Sequence, residues 1–197
     1  MFSWLHFNQL NSQRMTQTTN ELADVAELIG RLWLREIKVE TLAAMSLEAF
    51  RVPYQELGGF VPEETHEDMV EDLAIEYCAL LIGPKGQISP VQSVWETNQF
   101  QSATAASMSR YFELIPGYVA DSNLSDHIGV QLDYLSALLR QSETATAEEI
   151  IQHFSESHLA WTDRFLERVV SSTSSEFYAG LARVTRKLID SLPASVK

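Results

Sequence analysis

A single cysteine, Cys78, stands in 197 residues. It has no partner for an intrachain disulfide and cannot build a cysteine-based zinc cluster, so a disulfide-stapled scaffold is excluded and a reducing compartment fits. Long apolar runs are missing too, since no stretch approaches the roughly 20 consecutive apolar residues of a membrane span. Residues 1–20 hold Trp4, Phe7 and Leu10, but no basic head followed by an apolar run, so they do not read as a secretory leader. Positive charge is scarce: 14 Lys and Arg face 27 Asp and Glu, for a net charge of −13. The basic residues are scattered, and such a chain repels a phosphate backbone, which argues against nucleic acid as a partner. The same charge would draw in a basic peptide, raising its on-rate and narrowing the choice of partner.

What is present is ordinary globular material, 45% apolar and 21% charged, at a length that suits one domain. Helical periodicity dominates. From Glu21 the apolar positions Leu22, Val25, Leu28, Ile29, Leu32 and Trp33 recur at three- and four-residue steps, with Asn20 as cap. A shorter helix is expected over 40–50. Pro62 and Thr65-His66-Glu67-Asp68 resemble a capping box opening a helix that buries Met69, Leu73, Tyr77 and Leu80 and stops at Gly83-Pro84. Residues 83–96 read as the longest ordered loop. Further helices are expected over 98–114, 125–140, 146–170 behind Thr146-Ala147-Glu148-Glu149, and 174–192. The expected fold is all-α, a single globular bundle of about six to eight helices. Residues 19–197 form that domain, and residues 1–18 are a polar, disordered or short helical arm.

Chemical motifs are thin. Gly83-Pro84-Lys85-Gly86 has the wrong glycine spacing for a phosphate loop, and Pro84 removes an amide. Glu63-Glu64-Thr65-His66 is the only Glu-x-x-His run and lies at a helix start, where capping explains it better than metal. His153 and His158 lie five apart, well off one another around a helix, and read as surface or core-edge histidines. Cys78 sits in an apolar stretch as a small core residue. No catalytic set, metal site or cofactor is expected. Ser125-Asp126-His127 differs in kind, because it places an acid and an imidazole at the first turn of a helix, where free backbone amides collect. Two readings remain open there: Ser125 or Asp126 caps the helix, or an exposed acid and imidazole recognise a ligand beside residues 83–96.

Three segments in order, Tyr77-Cys78-Ala79-Leu80-Leu81-Ile82-Gly83-Pro84, Pro90-Val91-Gln92-Ser93-Val94-Trp95-Glu96 and Ser125-Asp126-His127-Ile128-Gly129-Val130-Gln131-Leu132-Asp133-Tyr134-Leu135, resemble the signatures of the TorD/DmsD/NarJ chaperones. Phe154, His158-Leu159, Trp161, Phe165 and Phe177–Ala182 resemble the closing helices of that family. The resemblance implies a cytoplasmic chaperone, not an enzyme, for a molybdenum-containing oxidoreductase. It would bind the twin-arginine leader or another terminal segment of the apoenzyme, assist cofactor insertion and hold back export. Carried over to this sequence, the matching residues are Leu81, Gly83, Pro84, Trp95, Asp126 and His127. With the leader implied by the resemblance, Tyr77 beside Trp95 would receive its apolar part and Glu96 beside Asp126 an arginine, which completes the expected peptide-binding set. Ser125, Gln131 and Asp133 depart from the family pattern, and Pro90 alone remains of a proline-rich loop. A monomer and a domain-swapped dimer hinged at 116–124 are both compatible with the family. The alternatives are a helical metal-dependent or nucleotide-binding enzyme, and an acidic adaptor that presents its surface to a folded partner.

Overall fold

Helix α1 (Ser3–Leu34) runs unbroken through Asn20, so the cap expected there does not exist and the polar arm and the first apolar helix are one element. The computed structural model describes residues 3–83, 86–100, 102–141 and 145–192, excepting the side chains of 3–18 and 145. The helix expected over 40–50 divides into α2 (Val39–Ser46) and α3 (Glu48–Glu56), with Leu47 extended between them at ψ 136°. Helix α4 (Glu67–Tyr77) starts after His66 without a side-chain cap, so the predicted capping box is not formed. It continues into a π turn, Cys78–Ile82.

The expected loop contains a short helix, α5 (Gln92–Thr97), which ends at Asn98 in the left-handed region, φ 55°. Asn98 therefore closes a helix where the sequence suggested one opening, and asparagine is among the few non-glycine residues that tolerate this conformation. Helix α6 (Ala103–Phe112) is capped by the Ser102 side chain, which accepts from the Thr104 amide. After α7 (Ile128–Leu139), the single helix expected over 146–170 is broken into α8 (Ala145–Phe154), a second π turn Ser155–Leu159, and α9 (Thr162–Ser172). Helix α10 (Glu176–Asp190) closes the described chain. Among the described residues the secondary structure is helical, apart from one isolated antiparallel bridge between Val91 and His127. The fold is all-α, as the periodicity implied.

Helix α7 is the centre of the core. It is buried on every side, from Ile128 through Leu132, Tyr134, Leu135 and Leu139, as a helix apolar all round must be. Glycine makes its packing on α1 possible: a Cβ on Gly129 would stand 2.6 Å from the Gly30 carbonyl oxygen, and one on Gly30 would stand 2.8 Å from that of Gly129. The two backbones meet where neither residue has a side chain. Trp33 at the end of α1 donates to Thr185 Oγ1 on α10 at 2.9 Å and packs edge-on against Phe165 of α9 at 5.1 Å. Tyr77 Oη donates to the Trp33 carbonyl at 3.0 Å, which fixes the end of α4 on the same core. No helix among the described residues is long and apolar enough to cross a membrane.

Candidate functional site

The first amides of any helix lack intrahelical partners and must be satisfied by something else. Here α5 and α7 satisfy each other. The Pro90 carbonyl accepts from the Ile128 amide at 2.8 Å, and the Asp126 carbonyl accepts from the Gln92 amide at 3.0 Å. Asp126 Oδ2 accepts from the Ser93 amide at 2.9 Å, so the carboxylate caps α5 from 33 positions further along the chain. His127 Nδ1 accepts from the Gly129 amide at 3.0 Å and is the cap of its own helix. Ser125 caps nothing; its hydroxyl donates to the Ala105 carbonyl at 3.0 Å and fastens the turn to α6. The tight helix start was legible in sequence, but the cap is His127 rather than Ser125 or Asp126.

The exposed acid and imidazole of the second reading are not found. Asp126 is 1% exposed and His127 6%. Burial holds the His127 imidazole down at about 4, with the neighbouring Asp126 charge opposing that shift, and a neutral ring is what accepting from Gly129 requires. Asp126 also lines a cleft of about 240 Å³ with Ser102, Ala105, Ser109 and Asn123.

Behind the paired helix starts lies a buried polar network that sequence reasoning missed. Gln92 is its hub: Oε1 accepts from Gln131 Nε2 at 2.7 Å and from His158 Nδ1 at 3.0 Å, while Nε2 donates to Glu96 Oε1 and to the Ser157 carbonyl, both at 2.8 Å. Because Gln92 Oε1 can only accept, His158 carries its proton on Nδ1, and Nε2 takes the Ser107 hydroxyl at 3.2 Å. Burial also lowers His158 to about 4, against the pull of Glu96 and Asp126. Trp161 Nε1 completes the set, donating to Gln131 Oε1 at 3.0 Å and to the His158 carbonyl at 2.9 Å. This network accounts for a departure from the family pattern, since a neutral amide at 131 donates to one partner and accepts from another. Its sequence signal was weak: polar residues at 92, 131 and 158 inside apolar stretches.

The remaining predicted residues divide. Trp95 and Glu96 join the cluster. Trp95 is half-buried, donates to the Ser89 carbonyl at 2.7 Å, and sits among Trp161, Phe165 and the Arg164 guanidinium, 5.9 Å above its ring. Glu96 is exposed and takes the Thr104 hydroxyl at 2.9 Å. Tyr77 and Leu81 are buried in the α1–α4–α10 core, away from peptide reach. Gly83 ends the π turn with its amide on the Cys78 carbonyl at 2.7 Å. Pro84 lies outside the described residues. The loop joins the cluster to α4, because the Ile88 amide donates to the Leu80 carbonyl at 2.8 Å. Among the described residues no three His, Cys, Asp or Glu side chains gather as metal ligands. Among the described residues His66 pairs only with Glu64, at 3.8 Å, and both are exposed.

Comparison with known proteins gives this geometry a context. The family model described as nitrate reductase delta subunit matches residues 43–168, well over half the chain and all of the paired helix starts. Chaperone protein YcdY of Escherichia coli (strain K12) is 26% identical over 179 residues, spanning 88% of this chain and 94% of that protein. The crystal structure of a protein proposed to act in redox enzyme maturation in Archaeoglobus fulgidus superposes with a TM-score of 0.54 at 20% identity, over 87% of this chain and 93% of that one, which supports the fold. The chain belongs to the nitrate reductase delta subunit family, the NarJ/TorD type of redox-enzyme maturation chaperones, and not to a family of catalysts.

Proposed function

We infer that this protein is a cytoplasmic chaperone that binds the leader or another terminal segment of a molybdenum-containing oxidoreductase apoprotein and holds it during cofactor insertion. The observation that carries this reading is the bracing of residues 86–97. Asp126 and His127 fix that segment on the buried α7, and it is bounded by two bare apolar side chains, Ile82 before it, 61% exposed, and Phe100 after it, 59% exposed. A rigid segment between exposed apolar residues meets a peptide at low ordering cost. Trp95, Glu96 and the end of the π turn at Gly83 are then the contact residues. Asp126, His127, Tyr77 and Leu81 are positioning residues that hold the face in shape.

A second reading is favoured by one detail. Asp126 Oδ1 takes no hydrogen bond among the described residues, and Asp126 borders the 240 Å³ cleft. An arginine side chain entering there would form a charge-assisted bond with it.

Affinity capture from native cytoplasm, with the partner identified by mass spectrometry, tests the function directly. A molybdenum oxidoreductase subunit retained through a terminal segment is the expected result. Retention of a folded partner that ignores free terminal peptides would favour the acidic adaptor and overturn the chaperone reading.

A further inference from the structure

We propose that the outer face of α4 and its π turn is a docking strip for a client segment in which arginines adjoin an apolar run. This rests on the reading that the chain binds a client leader, and it places that leader on residues the family resemblance did not single out.

Asp68, Glu71, Asp72, Ile75, Ala79 and Ile82 are all exposed and recur at three- and four-residue steps, so they share the solvent side of one continuous helical element. The opposite side carries Leu73, Tyr77, Leu80 and Leu81 into the core. The π turn matters here, because one extra residue per turn lets Leu80 and Leu81 both stay buried while Ile82 returns to the outside. Ile75 is 68% exposed and Ile82 61%. A single bare isoleucine is ordinary, but an ordered apolar half-strip on a braced element is not.

The other half is acidic and unneutralised. Between Arg51 and Lys85 the sequence holds eight acidic residues and no lysine or arginine. Arginines neutralise some acids, Asp24 and Glu27 on Arg140, Asp121 on Arg35, Asp163 on Arg186, and within this stretch Glu63 on Arg51. Asp68, Glu71 and Asp72 have no such partner among the described residues. The face is thus acidic over its first turns and apolar over its last. Its complement is a segment with a basic end and an apolar end, which is the chemistry of a twin-arginine leader. From Asp68 to Ile82 the strip is about 21 Å long, the span of about six extended or fourteen helical residues. Its apolar end meets the braced segment through the Ile88–Leu80 hydrogen bond, so the strip extends the face already described.

The test is a calorimetric titration of the full chain with a synthetic leader carrying two adjacent arginines before an apolar run of roughly 12 residues, and with its scrambled counterpart. Ile75→Ser/Ile82→Ser and Asp68→Asn/Glu71→Gln/Asp72→Asn change exposed side chains only, and Val119→Ser, at a residue 83% exposed in the α6–α7 loop, is the control. The strip predicts at least about a tenfold loss of affinity for each multiple variant, with the melting temperature unchanged. It also predicts salt-sensitive binding by wild type that becomes flat in the acid variant. Wild-type binding matched by both variants overturns the strip while leaving the leader reading intact. Failure of the wild type to distinguish leader from scrambled peptide overturns that reading and the strip with it. A dimer in sedimentation that becomes monomeric in the isoleucine variant assigns the face to self-association and also overturns the proposal.

Discussion

Asp126 Oδ2 and the Ser93 amide, 2.9 Å apart and 33 positions distant in sequence, form the cap of α5. A buried carboxylate facing free helix amides is strongly favoured there, since it meets both an unsatisfied donor and the positive end of the helix. Replacing Asp126 with Ala should cost about 1–3 kcal/mol, because it leaves the Ser93 amide buried without an acceptor. Asp126→Asn keeps an acceptor oxygen and should cost clearly less. Thermal denaturation of the two variants beside wild type checks the order.

Acid sensitivity follows from His127. Its imidazole titrates at about 4 in the fold against about 6.5 in the unfolded chain. Between those values the unfolded state binds the extra proton and the folded state does not, so stability falls as pH drops from 6.5 toward 4 and is complete above 6.5. The loss from this residue is on the order of 2–3 kcal/mol by pH 4. His158, lowered in the same way, adds in the same direction. His127→Asn retains a capping side chain without the titrating ring. Its melting temperature should fall less steeply than that of wild type over this window.

The contact between α1 and α7 is intolerant of a methyl group. In Gly129→Ala the new Cβ would stand 2.6 Å from the Gly30 carbonyl oxygen and 2.9 Å from Leu34 Cβ. Both neighbours lie in helix α1, so the helices must separate. A loss of about 1–3 kcal/mol or more is expected in chemical denaturation. Gly30→Ala at the same crossing should combine non-additively with it, since both variants push apart one pair of backbones.

Gln131→Glu tests the buried network. Gln131 is fully buried and donates to Gln92 while accepting from Trp161. A carboxylate there has no proton to donate and brings a charge into the core, at a cost of about 1–3 kcal/mol near neutral pH. The cost should shrink below about pH 5, where the acid takes up a proton and can donate again. Denaturation profiles at the two pH values distinguish this from a simple packing defect, which pH would not alter.

Much of the fold was legible because amphipathic periodicity reports burial directly. Ile29 to Trp33, Leu73 to Leu80 and Phe177 to Leu188 lie in the core where their spacing put them, while Leu22, Val25, Leu28 and Met69 pack half-buried against it. The failures share a physical cause. Helix α5 was invisible because its cap, Asp126, belongs to another element, and no local residue signals its start. The break between α8 and α9 escaped because a π turn keeps the apolar periodicity nearly continuous while advancing its phase by one residue. At the site, the turn at 125–127 stood out by residue type, but burial depends on the partners, and Pro90 and Ser93 could not be paired with it from sequence alone. Gln131 read only as a departure from the family pattern and His158 as a surface or core-edge histidine, yet both are buried. Isolated polar residues in apolar stretches look like surface positions until their partners, Gln92 among them, are in place.

The central claim is that Asp126 braces a peptide-binding face without touching the peptide. Titration of the leader into wild type, Trp95→Ala and Asp126→Asn, each checked for an unchanged helical signal, tests it most directly. The account predicts saturable binding, weakened about tenfold or more by Trp95→Ala and altered less than about twofold by Asp126→Asn. A tenfold loss in Asp126→Asn with its melting temperature intact would contradict it and place the arginine of the client on Asp126 itself.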